Sequence, residues 1–225
     1  MMRVVKLDKK VCKEWIEIKH YRHTLGIFWE GFGLVIDGKI QGVVCYGQPS
    51  APIQKYAFKD RDFRLYELTR LVIQTKKKNA ASFLIANSLK MLKEKKSSVI
   101  SYADSAQGHC GIVYQATNWL YTGEVKAHDK FYLVDGKKLH PTTIRDRYGV
   151  TSPVKWAKAN SVQMVQPEPK QRYFYFNGNK KECRNMLKKL KYTVINIYPK
   201  CDQMRYDDGQ YIDANEPIDI QPELF

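Results

Sequence analysis

The chain has 225 residues, 44% hydrophobic and 27% charged, and its five cysteines include no CxxC pair. That composition excludes a mostly disordered chain, and the length allows a core without disulfide or zinc staples, so the cysteines read as free thiols in a reducing compartment. No run of about 18 apolar residues exists and MMRVVKLDKK lacks an apolar h-region, so neither a membrane span nor a cleaved secretory signal is expected, and the reading is cytoplasmic.

The formal net charge is +15. Residues 201–225 hold seven acids against Arg205, a net −6, which leaves +21 on residues 1–200. A body this basic points to a polyanion such as DNA, RNA or a phosphorylated cofactor, with a solvated lysine-rich surface as the plainer alternative.

In chain order, Asp8 opens a helix over 8–21, with Val11, Trp15 and Ile18 on one face. Asp37-Gly38 between GLVI and KIQGVVCYG is a tight-hairpin signal. Residues 48–64, with two prolines and many charges, read as a loop, and RLYELTRLVIQ (64–74) as a strand. Residues 79–95 read as a helix with Asn79 as N-cap, and SVISYAD (98–104) as the next strand. GIVYQATNWLY (111–121) reads as a short helix, and FYLVDGKKL carries a second turn at Asp135-Gly136. RYFYFNG, KKECRNMLKKL and YTVINIYPK then read as strand, helix and strand over 172–200. The fold class expected is α/β (α+β), a central mixed sheet flanked by helices. Its strand-helix-strand core should form a parallel pair by a right-handed crossover. Residues 1–200 read as one domain and 201–225 as an acidic tail, disordered or loosely docked.

Three features bear on chemistry. The turn TKKKNAAS joins a strand to a helix N-terminus, where Lys76, Lys77, Lys78, Asn79 and Ala81 are candidates to hold a phosphate against free backbone N–H groups. It is not a Walker loop. Asp104 ends a strand, at the edge where open α/β sheets place their sites, with Ser101, Tyr102 and His109 around it and Tyr114 ten residues on. Tyr46, Tyr102, His109 and Trp119 are candidate substrate contacts, core packing being the alternative for the aromatic rings. His20 and His23 are weak candidates as metal ligands, and whether a metal is needed stays open.

The blocks KHYRH (19–23), GVVCYGQP (42–49), YELTRLVI (66–73), ASFLIANSLKML (81–92), SYADSAQGHCGIVYQATNWLYTGE (101–124) and RYFYF (172–176) occur in this order. Together they resemble the Mom proteins of bacteriophages, over roughly residues 8–200. The resemblance implies modification of adenine in double-stranded DNA to a carbamoylmethyl derivative, as protection from restriction enzymes, and a divergent GNAT-like acyltransferase fold. It implies functional roles for Arg70, Ser82, Asp104 and Tyr114. The donor, acyl or glycinamide, is not identified. Coenzyme A is doubtful, because KKKNAAS stands where that fold carries the pattern [RQ]xxGx[GA] and holds neither glycine. An N-acetyltransferase acting on a small amine or protein, and a basic DNA-binding module without activity, are the alternatives. The oligomeric state is open.

Overall fold

The computed structural model describes residues 1–126 and 130–201. The acidic tail beyond Cys201 therefore lies outside the described residues. In chain order the elements are β1 (Met2–Leu7), α1 (Lys9–Lys19), β2 (Glu30–Ile36), β3 (Lys39–Gly47), α2 (Ala51–Tyr56), β4 (Arg64–Ile73), α3 (Ala80–Met91) and β5 (Ser97–Asp104). Then come α4 (Ile112–Gln115), β6 (Leu120–Val125), β7 (Phe131–Val134), β8 (Lys137–Leu139), α5 (Pro141–Tyr148), α6 (Pro153–Ala159), β9 (Gln163–Val165), β10 (Lys170–Asn177) and α7 (Lys180–Lys189).

Seven strands form the main sheet in the order β1-β2-β3-β4-β5-β10-β6. Every neighbouring pair is antiparallel except β4 and β5, which run parallel. Helix α3 supplies the crossover between those two, as a parallel pair requires. The mixed α/β sheet with helices on its faces is thus the fold expected.

Period-two alternation distributes the strands' side chains between the two faces. Val44, Tyr46, Leu68 and Val99 pack against Leu84, Ile85 and Leu89 of α3. On the other face, Val43 and Cys45 meet Trp15 and Ile16 of α1. Leu65, Ile100 and Phe174 meet Phe58 and Leu190 nearer the far edge. A second sheet, β8-β7-β9, has its own cluster of Tyr132, Ile144 and Ala157.

Local chemistry accounts for several boundaries. The Asp8 carboxylate accepts from the Val11 N–H at 2.8 Å and starts α1. Asp37 and Gly38, at φ 49° and 82°, make the hairpin turn read from the sequence. Asn179 and Glu182 form a reciprocal capping box on α7.

Other expectations are corrected. Helix α1 buries Cys12, Trp15 and Ile16, while Ile18 is 50% exposed, so the true stripe is turned from the one expected. The stretch 48–64 contains α2, started by Ser50 and Pro52. Asn79 sits left-handed at φ 62° and makes no side-chain cap on α3. Helix α4 is one turn long, because Asn118 at φ 60° breaks it and β6 follows. Residues 192–200 form no strand. They are held by side-chain packing, with the Tyr198 hydroxyl donating to the Trp119 carbonyl at 2.9 Å and its ring stacked on Tyr173. Elements β1, α5, α6 and β9 were not expected. Pro141 and Pro153 occupy the first turns of α5 and α6, where a missing N–H costs nothing.

The expectation of free thiols fails for one pair. Cys110 and Cys201 are joined by a disulfide across 91 residues. Cys12, Cys45 and Cys183 are free. An odd cysteine count conceals this bridge, since its partners are distant in sequence and meet only because residues 192–201 fold back onto α4. Gln115 Nε2 fixes that approach, donating to the carbonyls of Cys110 and Pro199, each at 3.2 Å. Gly111, next to the bridge, has φ 86°, and a Cβ there would stand 2.4 Å from the Tyr173 ring, so only glycine fits.

No helix of the described residues is long and apolar enough to cross a membrane.

A fork in the sheet as candidate active site

Strands β4 and β5 pair only from Arg64↔Ser97 to Glu67↔Ile100. Beyond that point β4 continues to Ile73 beside β3, and β5 continues to Asp104 beside β10. The two carboxyl halves therefore part, and the sheet opens into a fork at the edge where α/β folds place their sites. The strands carrying Arg70 and Asp104 are parallel and splay as expected.

At the base of the fork, the Leu68 carbonyl has lost β5 as its ladder partner. The Ser101 hydroxyl replaces it at 3.0 Å, and the Tyr114 hydroxyl lies 2.8 Å from Ser101 Oγ. A carbonyl only accepts, so Ser101 gives its proton to Leu68 and receives that of Tyr114. The Tyr114 ring is buried against Trp119 and Tyr173, so the residue is both a core ring and a hydroxyl aimed at the fork.

The opposite face of the fork is polar. Asp104 Oδ2 accepts from the Tyr21 hydroxyl at 3.2 Å and lies 3.5 Å from Lys170 Nζ, and Oδ1 accepts from the Ala106 N–H at 3.3 Å. The Asp104 carboxylate stays 14% exposed, open to a ligand yet held on three sides. Arg70 Nε donates to the Thr24 carbonyl at 2.7 Å, and another guanidinium N–H to the Thr69 carbonyl at 2.6 Å. These bonds clamp the loop after α1 beside Asp104, and burial lowers the Arg70 pKa from its ordinary value.

Two further groups here escaped the sequence reading. Glu67, the last β4 residue of the parallel pairing, faces Arg70, Lys170 and Arg22. Burial pushes its carboxyl up to about 7, against the pull of those three cations. Tyr21 has its hydroxyl pushed up by burial first and then by the Asp104 charge. The signal for Glu67 was present, an acid interrupting the apolar run of YELTRLVI. Tyr21 lies in KHYRH beyond the helix pattern, and no spacing ties it to Asp104.

The remaining candidates divide. His109, in the loop after β5, donates its backbone N–H to the Asp104 carbonyl at 3.2 Å, and burial lowers its imidazole pKa. Tyr102 is half-buried at the rim of the Ile100–Phe174 cluster. Tyr46 and Trp119 are corrected to core residues, since neither exposes any surface. The Tyr46 hydroxyl meets Ser88 Oγ at 2.7 Å, and Trp119 packs between Tyr114 and Tyr175.

Lys76, Lys77, Lys78 and Asn79 are exposed in the turn before α3. Ala81 packs its side chain in the α3 core, and its backbone amide stands in the first turn of the helix, the group through which a phosphate would be held. The Ala80 N–H is taken by the Lys77 carbonyl at 3.3 Å. Ser82 turns its hydroxyl back onto the Asn79 carbonyl at 3.0 Å, on the first turn of α3.

His20 and His23 point to backbone rather than to each other. His20 Nδ1 accepts from the Arg22 N–H at 3.1 Å, and His23 Nδ1 donates to the Glu17 carbonyl at 2.8 Å. Burial first, then the Arg70 charge, pulls His20 down to about 3, so it is neutral at pH 7. Among the described residues no three or more His, Cys, Asp or Glu side chains are gathered as a metal site.

A model of the Mom protein family matches residues 1–200. No curated protein matches the chain. Solved structures of acetyltransferases resemble it in architecture. The ribosomal-protein-S18-alanine N-acetyltransferase from Escherichia coli shares 7% identity at TM-score 0.45, over 80% of this chain and 96% of its own. NAA60 from Arabidopsis thaliana, solved with acetyl-CoA, shares 11% at 0.45, over 78% and 98%. A probable acetyltransferase from Staphylococcus epidermidis shares 9% at 0.45, over 78% and 99%.

Proposed function

Since the chain belongs to the Mom protein family, we propose that it is a transferase acting on the exocyclic amine of adenine in DNA. The product is carbamoylmethyladenine, the cell is a phage-infected or phage-carrying bacterium, the compartment is the cytoplasm, and the role is protection from restriction. The observation that carries this reading is the fork between β4 and β5, with Asp104 and Arg70 together on one face and the Ser101–Tyr114 pair at its base.

The adenine amine is a poor nucleophile, because its lone pair is delocalised into the ring. Attack needs the amine held against an electrophilic carbon and a group ready to take its proton. Asp104 is suited to that, as a carboxylate already fixed by Tyr21, Lys170 and the Ala106 amide. As the N–C bond forms, the amine nitrogen loses a proton to Asp104 and the donor's leaving group departs with the bonding pair. Arg70 stabilises negative charge building on that leaving group, and Tyr114 polarises the floor of the fork through Ser101. Lys76–Lys78 lie on the turn that continues β4 into α3 and Ser82 on the first turn of that helix, where an anionic part of the donor would be held. The base must also leave the duplex, which costs a few kcal/mol, recovered by pocket contacts and phosphate binding.

Mass spectrometry of nucleosides from DNA of bacteria expressing the chain tests this. A carbamoylmethyl adduct of deoxyadenosine, absent with Asp104→Asn, is the expected result. Unmodified adenine together with acetyl transfer from acetyl-coenzyme A to an amine without DNA would replace it by the N-acetyltransferase reading.

A further inference from the structure

We propose that the segment inserted between β6 and β10 is the surface through which the protein grips duplex DNA. The inference rests on the reading of DNA as substrate and adds where the duplex is held. The insertion builds the sheet β8-β7-β9 with α5 and α6, around Tyr132, Ile144 and Ala157. Its position follows from register. Val125, the last residue of β6, pairs with Lys170, the first of β10, and Lys170 pairs with Asp104. Both ends of the insertion thus leave the main sheet at the edge that carries Asp104, one end on the neighbouring strand and the other a strand further.

Charge gives the chemistry of the partner. Residues 130–165 hold seven Lys and Arg against Asp135 and Asp146. All seven cations are exposed. None is in an ion pair with an acid of the described residues. On the helix pair, α5 carries Arg145 and Arg147 and α6 carries Lys155 and Lys158. The Tyr148 and Trp156 rings stack between the helices at 4.3 Å, with Tyr148 37% exposed. Unpaired cations on two touching helices repel one another, which offsets what Arg145, Arg147 and Lys158 give to the last turns of their helices. A row of phosphates removes the repulsion, and it is the partner such a face complements.

The quadruple variant Arg145→Ala, Arg147→Ala, Lys155→Ala and Lys158→Ala removes only exposed charge from helices and should keep the wild-type melting curve. With the full chain and a short fluorescent duplex DNA, its Kd at 0.1 M salt should rise at least about tenfold. Its slope of log affinity against log salt should flatten by about two to four, near one unit per lost phosphate contact. The matched variant Lys180→Ala, Lys181→Ala, Arg184→Ala and Lys188→Ala removes four exposed charges from α7 and should bind within about threefold of wild type. A wild-type slope in the insertion variant, or equal losses in both variants, overturns the proposal while DNA modification by the wild type stands. Tighter wild-type binding to duplex RNA than to duplex DNA also overturns it. A wild type that neither binds nor modifies DNA removes the functional reading itself.

Discussion

Ser101 and Leu68 face each other across the fork of β4 and β5, the serine hydroxyl 3.0 Å from the leucine carbonyl. A side chain thus does the work of a ladder bond at the point where the strands part, and lets the one parallel pair of the sheet open without stranding a buried carbonyl. Ser101→Ala should therefore cost about 1–3 kcal/mol of stability by leaving that acceptor unpaired. Tyr114→Phe keeps the ring packed against Trp119 and Tyr173, leaves Ser101 bonded to Leu68, and should cost about 1 kcal/mol or less. Urea denaturation of both variants checks the order. If Tyr114→Phe retains wild-type adenine modification, its hydroxyl has no part in the chemistry and the residue is a core ring alone.

The Cys110–Cys201 bridge closes a loop of 91 residues. Cross-linking a loop of that length restricts the unfolded chain, with a typical gain of about 2–4 kcal/mol. Under reductant, or in Cys201→Ser, the midpoint of urea unfolding should fall by a matching amount. A non-reducing peptide map should show the two cysteines in one linked fragment. Two separate alkylated peptides from protein never exposed to reductant would remove the bridge and restore the reading of five free thiols.

Legibility in the sequence followed the locality of the cause. The Asp37-Gly38 hairpin, strand β4, helix α3 and strand β5 are set by turn chemistry and periodicity within a few residues, and all were readable. The parallel pair followed from their order. What needed three dimensions was not readable. Tyr46 and Trp119 as aromatic residues carry no mark of core or site until the sheet is assembled. Tyr21 meets Asp104 across 83 positions. The insertion at 131–165 shows in the sequence through its Asp135-Gly136 turn alone, because its helices, of eight and seven residues, are too short to carry a clear apolar period.

Glu67 and His20 impose opposite pH dependences. Burial lifts Glu67 from 4.5 to about 7, so between those values the folded chain keeps a proton that the unfolded chain has lost, and stability falls as pH rises through the window. Burial and the Arg70 charge hold His20 at about 3 instead of 6.5, so the unfolded chain binds a proton that the folded chain refuses, and stability falls as pH drops from 6.5 toward 3. The two slopes oppose each other between 4.5 and 6.5, where stability should be greatest. Glu67→Gln abolishes the first slope, so its stability relative to wild type should rise across pH 4.5–7. Urea midpoints for the pair at several pH values test this, and a difference that stays constant would show that Glu67 titrates normally.

Asp104 makes the sharpest test of the site. Asp104→Asn keeps one oxygen, which can still accept from the Ala106 N–H, and puts an amide NH2 where the other oxygen met the Tyr21 hydroxyl, which can accept there instead of donating; the charge facing Lys170 at 3.5 Å is lost. Because that ion pair is partly exposed, the loss should cost about 1 kcal/mol or less. DNA affinity should hold or rise slightly, since a negative charge leaves the DNA-facing edge. Adenine modification should fall by about 100-fold or more, the usual scale for removing a positioned proton acceptor. Lys170→Met separates position from charge, because it leaves the carboxylate in place without its cation and should lower modification far less than Asp104→Asn. Equal losses in the two variants would mean that the ion pair as a unit, rather than the carboxylate, serves the reaction. Wild-type modification in Asp104→Asn would move the search for the proton acceptor to Glu67, the other carboxyl group on this face of the fork.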